Sequence, residues 1–278
     1  MSAEAPGAEP VGSARFLGNQ DRALLSRVED AGLNASAPPQ QRWMDGWLVR
    51  TSPGKAQRAR CINAVAAGRL PVAQKLDACA ERFSALGLPL LVRITPFTQP
   101  PDLDRELATA GWTLHDDTRV MVLPRLASAC LEHGPMPEAA RWQELPPAAF
   151  AEAVGSLRRS SAAARSAHAQ RLATSPVPYR GFALVGAGPG EVLACGQFAS
   201  EDDLVGLYDI ATAAKQQRQG LGTWLCKRLL TIALSEAGSR VAYLQVGADN
   251  LVARRVYRRL GFDDAYTYHY RTAPADPA

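Results

Sequence analysis

The chain has 278 residues, 47% apolar and 21% charged, with 31 Lys and Arg against 27 Asp and Glu, a formal net charge of +4. This ordinary globular usage excludes a disordered chain, a collagen-like fibre and a long coiled coil. The charge is too small to call for nucleic acid or an acidic membrane as partner, and no apolar run reaches the roughly 18 residues of a bilayer-spanning helix.

Residues 1–15 mix Ala, Gly, Pro and Glu without the apolar stretch of a secretory signal, and are expected to form a flexible tail. Leu24, Leu25 and Val28 predict a helix over 18–31. Residues 43–50 and 59–66 read as strands around the turn Ser52-Pro53-Gly54. Pro71 opens a helix over 71–86, with Val72, Leu76, Phe83 and Leu86 on its apolar face and Gly87 as its stop. A buried strand over 90–94 follows, then a short helix over 103–110 closed by Gly111, then a strand over 112–123.

Residues 126–140, with Gly134, Pro135 and Pro137, are the expected linker between a first half, 16–125, and a second, 141–278. Beyond it, 146–171 is Ala- and Arg-rich and helical. Strands are predicted over 182–185, 192–199, 204–212, 241–246 and 262–270, and helices over 220–237 and 250–260. Strands alternating with helices make the second half an α/β unit. The five cysteines are odd in number, widely spaced and without a Cys-x-x-Cys pair, and the four histidines are scattered. Neither a disulfide framework nor a metal site is expected, and the reducing cytoplasm is the expected compartment.

The segment Gln217-Arg218-Gln219-Gly220-Leu221-Gly222 lies between an apolar strand and a long helix. Glycines there let main-chain N–H groups approach an anion, and the helix N-terminus adds its dipole. A phosphate-binding P-loop needs Gly-Lys-Ser/Thr, whereas Gly222 is followed by Thr223 and Trp224. A dinucleotide fingerprint needs a third glycine where Leu225 stands. The alternative is a tight turn with capping glycines. Downstream, Asn250 and Tyr257 are seven apart, about two helical turns, and so share a helix face.

Together these residues resemble the GCN5-related N-acetyltransferase (GNAT) family. Its loop pattern Gln/Arg-x-x-Gly-x-Gly/Ala is matched by Gln217, Gly220 and Gly222. Its Asn-x-x-Ala-x-x-x-Tyr-x-x-x-Gly-Phe signature is matched by Asn250, Ala253, Tyr257, Gly261 and Phe262, and the resemblance spans about 141–271. It implies the acyl-CoA N-acyltransferase fold, a mixed-sheet α/β architecture, with acetyl-CoA as co-substrate and no metal. The family's cofactor lies where the strand before the loop splays from the strand after the long helix. Carried over, the main chain of Ile210, Ala211 and Thr212 would bond the pantetheine. Gln217 and the N–H groups of Arg218, Gln219, Gly220, Leu221, Gly222 and Thr223 would form the pyrophosphate loop. Asn250 would bond the pantetheine arm, and Tyr257 would stand beside the thioester sulfur.

Tyrosine, with a pKa of ~10, suits the general acid that protonates a leaving thiolate. Asp209, beside the acyl end, is the candidate base, its alternative being a solvated or salt-bridged strand carboxylate. Cys226 is expected to be a buried thiol and Lys215 a solvated lysine. Residues 59–112 faintly echo the second half: Gly111-Trp112 stands where Gly261-Phe262 does, Leu107 where Tyr257 does, and Pro100 where Asn250 does. With Gly68 alone in place of the Gly-x-Gly, the first half reads as a degenerate copy, two unrelated α/β domains being the alternative. Arg50 and Arg60 there could meet an acidic acceptor. Acetyl transfer to a small-molecule amine is the expected function. A non-catalytic acyl-CoA sensor or partner-binding protein is the alternative.

Overall fold

A computed structural model describes residues 14–54, 56–128, 131–132, 134–136 and 140–274. Residues 1–13 of the expected tail, Cys130 and His133 lie outside these. The first half runs α1 (Arg22–Ala35), β1 (Gln41–Met44), β2 (Trp47–Arg50), β3 (Ile62–Ala64), α2 (Val72–Ala85), β4 (Leu91–Ile94), α3 (Leu103–Thr109) and β5 (Thr113–Leu123). The second runs β6 (Arg141–Leu145), α4 (Pro147–Leu157), α5 (Ala162–Ala173), β7 (Tyr179–Val185), β8 (Val192–Glu201), β9 (Leu204–Thr212), α6 (Leu221–Glu236), β10 (Val241–Gly247), α7 (Leu251–Arg259) and β11 (Asp263–Thr272).

Two expected elements differ. The run 43–50 is a hairpin, not one strand: Asp45 and Gly46 have φ of 43° and 83°, and Met44 pairs with Trp47. Asp-Gly favours this two-residue turn because both central positions need positive φ. The segment 59–66 is mostly loop: Gln57–Ala59 is a 3₁₀ turn and β3 holds only Ile62–Ala64.

Among the described residues eleven strands form one mixed sheet, ordered β1-β2-β3-β4-β11-β5-β10-β9-β8-β7-β6. The pairs β3–β4 and β9–β10 are parallel and the rest antiparallel. The last strand of each half is exchanged: β11 pairs with β4 of the first half, and β5 pairs with β10 of the second. The exchanged strands also pair with each other, Val120 opposite Tyr266.

On one face, Leu225 and Leu229 of α6 and Leu260 after α7 pack on Leu207, Leu244 and Met121. On the other, Leu25 and Val28 of α1 pack on Tyr208, Tyr243 and Tyr266. No helix among the described residues is long and apolar enough to cross a membrane.

A buried network locks the exchange. Arg93 of β4 donates to both Glu29 oxygens, the Nη2–Oε2 bond being 3.1 Å, and Tyr266 of β11 donates to Oε2 at 2.7 Å. Burial raises the Glu29 pKa, but Arg93 and the Tyr266 hydroxyl outweigh it, so the carboxyl stays below its ordinary value. Removing one partner of such a pair leaves an uncompensated buried charge. Glu29→Ala is therefore expected to cost about 3–5 kcal/mol, read as a fall in denaturation midpoint.

Candidate active site

The parallel pairing of β9 with β10 runs only from Leu204↔Val241 to Leu207↔Leu244, although β9 continues to Thr212 and β10 to Gly247. The cause is local. Asp209 takes φ 52°, and the β8–β9 register shifts there, between Cys195 and Gln197. A bulge of this kind bends its strand. β10 meanwhile stays paired to β5, Gln245 opposite Val120 and Gly247 opposite Thr118. The two strands therefore part, and a cavity of about 360 Å³ opens between them. Leu207, Ile210, Leu244 and Val246 line it. Asn250 and Tyr257 reach it from α7, and Arg58 and Arg171 also reach it.

Where β9 ends, the chain makes a 3₁₀ turn, Ala214–Gln216, and then enters α6 through an exposed loop. Gly220 is the N-cap, with φ 82° and no side-chain cap, and Arg218 has φ 63°. A Cβ on Gly220 would meet nothing within 4 Å, so conformation, not space, calls for glycine there. A Cβ on Gly222 would make only ordinary contact, 3.6 Å from Thr212 Oγ1. The first N–H groups of α6 have no carbonyl one turn back to bond, which is the condition for an anion site at a helix N-terminus. Lys215 is exposed, as expected.

Asn250 caps α7, its side chain accepting from Ala253 N–H at 3.2 Å. Tyr257 is 9% exposed, and its ring meets the edge of Phe262 with centroids 6.2 Å apart. Burial, and then the Cys226 thiol, push the Tyr257 pKa above its ordinary value. The hydroxyl thus stays protonated at physiological pH and has a proton to donate. Cys226 is buried and its thiol pushed up to about 12, which leaves it unreactive.

Asp209 is heavily engaged. It accepts from Arg158 Nη1 at 2.6 Å and from Gln197 Nε2 at 2.7 Å, and His168 Nε2 lies 3.3 Å away. Burial raises its pKa, but His168 and Arg158 outweigh burial and hold the carboxyl far below the usual carboxylate range. A carboxylate so firmly ionised is a weak proton acceptor; its geometry suits holding His168 and Arg158 in place. His168 on α5 and Arg58 in the 57–59 turn carried no signal in the sequence. The fold brings Arg58 to this cavity and His168 to an adjoining one that shares Arg158, Arg171 and Asp209. Arg50 is spent on structure, donating to Ser36 Oγ at 3.0 Å and to the Leu33 carbonyl at 2.7 Å.

The sequence profile of the acetyltransferase (GNAT) family matches residues 148–262, which contain the splayed strands, the Gly220 turn and Tyr257. Residues 148–262 are a GNAT domain. Members of this family transfer acyl groups from acyl-CoA. The fold of the chain is similar to that of a GCN5-related N-acetyltransferase from Kribbella flavida, at 18% identity over 90% of this chain and 95% of that one, with a TM-score of 0.66. It is also similar to a functionally unknown conserved protein from Staphylococcus epidermidis, at 10% identity over 86% and 95%, with a TM-score of 0.61. A tandem GNAT protein from the clavulanic acid biosynthesis pathway is similar at 18% identity over 72% and 69%, with a TM-score of 0.59. No curated protein matches the chain.

Some local features of the second half recur in the first. Its parallel pair β3–β4 leads into α2 as β9–β10 frames α6. The exit from α3, Gly111 N to Ala108 O at 3.1 Å and Trp112 N to Leu107 O at 3.0 Å, repeats that of α7. There Gly261 N bonds Arg258 O at 3.0 Å and Phe262 N bonds Tyr257 O at 3.1 Å. Buried Leu107 stands in the place of Tyr257. Ahead of α2, the exposed N–H groups are bonded by the chain itself. Asp45 accepts from Arg69 N–H at 2.9 Å and Leu70 N–H at 2.8 Å, and fully buried Lys75 lies 3.1 Å away. The bonds from Arg69 and Leu70 hold the Asp45 carboxyl down at about 2.

Proposed function

We propose that the chain is an N-acetyltransferase that moves an acetyl group from acetyl-CoA to a primary amine of a small molecule. In this reading 141–278 is the catalytic domain. The first half, 16–125, is a GNAT-like copy without cofactor machinery, joined through 126–140. The observation that carries the reading is the break in the β9–β10 ladder beyond Leu207 and Leu244, with β9 leading through a short turn and loop to the N-terminus of α6, which has no side-chain cap.

The fit to acyl-CoA rests on three features. The splay leaves main chain of Ile210, Ala211 and Thr212 without a β10 partner. The loop of Gln217, Arg218, Gln219 and Gly220 is exposed, and the N–H groups of Leu221, Gly222 and Thr223 begin the helix. Asn250 and Tyr257 share the cavity with Leu207 and Leu244. When bound, the cofactor supplies an activated thioester. The main chain over 210–212 and the Asn250 amide hold its arm, and the N–H groups over 218–223 hold its pyrophosphate. Main-chain N–H groups of the bulged strand stabilise negative charge on the carbonyl oxygen. Tyr257 donates its proton to the sulfur as it leaves. Asp209 orients His168, which accepts the proton released by the attacking amine, imidazole being the commonest general base.

The test is acetyl-CoA-dependent thiol release across a panel of amines. Turnover with at least one amine supports the transferase. Tight acetyl-CoA binding with no turnover supports the sensor alternative. A companion result is expected for Gly220→Val. A β-branched residue forced into the left-handed region costs about 1–2 kcal/mol, so Kd for acetyl-CoA should rise about tenfold if the loop gives way. Calorimetric titration of the wild type and variant measures it.

A further inference from the structure

The cavity between β9 and β10 has an unbalanced wall. Among the described residues Arg58, Arg158 and Arg171 line it, and Asp209 is the only carboxylate that does. Asp209 is taken up by Arg158 at 2.6 Å. Arg58 donates to the Gln245 side chain, and its guanidinium carbon lies 5.8 Å from the Tyr208 ring centroid. Arg171 lies 5.8 Å from the Tyr179 ring centroid. Among the described residues no carboxylate stands within 4.0 Å of either guanidinium. Arg171 shares the field of Asp209 with Arg158 and His168, so three arginines face a partly enclosed space lined by a single carboxylate. Such charges are stable only when paired, and a planar guanidinium fork matches a carboxylate.

Position narrows the ligand. Tyr208 and Gln245 are the first residues past the end of the β9–β10 pairing, so Arg58 stands at the closed end of the splay, where the acyl group is placed in the reading above. The α6 N-terminus, which suits the cofactor's pyrophosphate, lies beyond the opposite, open end of the same strand. An anion held by Arg58 and Arg171 therefore belongs to the acceptor, close to its reacting nitrogen. We propose, resting on the transferase reading, that the acceptor is an amine carrying its own carboxylate, of the amino acid kind, and that Arg58 and Arg171 grip that carboxylate. This also gives the first half a part in the site: it supplies Arg58 through the Gln57–Ala59 turn.

The experiment compares matched acceptors with acetyl-CoA: amino acids, their carboxamides, their decarboxylated amines, and O-phosphoethanolamine. The carboxylate-bearing members should be favoured in kcat/KM by about 100-fold, the scale of a charge-assisted pair lost. Arg171→Gln, on half-buried α5, should erase at least about tenfold of that preference. Arg58→Lys keeps the charge but loses the fork, and should also erode it. Both variants should leave the acetyl-CoA Kd and the melting temperature unchanged. As a readout independent of turnover, an N-acetylamino acid should bind the CoA-loaded protein and lose that binding in Arg171→Gln. Amides or decarboxylated amines turned over as well as the acids would overturn the inference alone, as would a preference for the phosphate or an unchanged preference in Arg171→Gln. Loss of acetyl-CoA affinity in both variants would assign the arginines to the cofactor and overturn it too. No turnover with any amine, while the N-acetylamino acid still binds, would overturn the transferase reading and leave the carboxylate site standing. Neither turnover nor binding would overturn both.

Discussion

Tyr257→Phe should lower kcat about 100-fold or more while leaving acetyl-CoA affinity near that of the wild type, since general acid catalysis contributes about 10²–10⁴-fold. The substitution keeps the ring, its edge contact with Phe262 and its place among buried apolar side chains, and removes only the hydroxyl. Stability should change little, so the loss would report on chemistry. Burial keeps this hydroxyl protonated, so the defect should be of similar size across the pH range of an assay. Steady-state kinetics with titration calorimetry separates the two effects. A variant with wild-type kcat would show that the leaving thiolate takes its proton from elsewhere.

Residues 141–278 expressed alone should fail to form a cofactor-binding domain. The reason is the strand exchange. Without the first half, β10 loses β5 from one edge, and β11 loses both of its neighbours, β4 and β5. Tyr266 and Tyr268 would lose the Glu29–Arg93 network they pack on. Exposed edges of this length pair with other chains, so aggregation is the expected outcome. The intact chain should then unfold in one cooperative transition by calorimetry and by circular dichroism alike. Two separated transitions, or an isolated second half with full acetyl-CoA affinity, would contradict this.

The helices were legible because their signals are local. Leu221, Leu225 and Leu229 repeat at helical spacing behind Gly220, and Asn250 and Gly261 mark the two ends of α7. The splay was implied by the loop and tyrosine motifs, which the family carries as a unit. The hairpin at Asp45-Gly46 is hard to read because its two short strands run together as one mostly apolar stretch, Trp43–Arg50, with another turn signal close by at Ser52-Pro53-Gly54. The exchange of β5 and β11 has no local signature. Both are long strands, and which neighbours each takes depends on complementarity across more than a hundred residues of chain. The same holds for the walls of the two cavities beside β9. Arg58 stands in a loop and His168 in an Ala- and Arg-rich helix, so each resembles a surface residue until the fold sets them beside Asp209 and Tyr208. For Asp209 a salt bridge is one reading of the sequence, but Arg158 as its partner is not legible there.

The account turns on one place and one ligand, and a crystal structure of the chain grown with acetyl-CoA tests it most directly. The expected density is a single cofactor per chain, its pyrophosphate on the N–H groups over 218–223. Its arm should run along Ile210–Thr212, with the sulfur within hydrogen-bond reach of the Tyr257 hydroxyl. A cofactor bound ahead of α2, where Asp45 now stands, or one whose thioester lies away from the gap between β9 and β10, would contradict it.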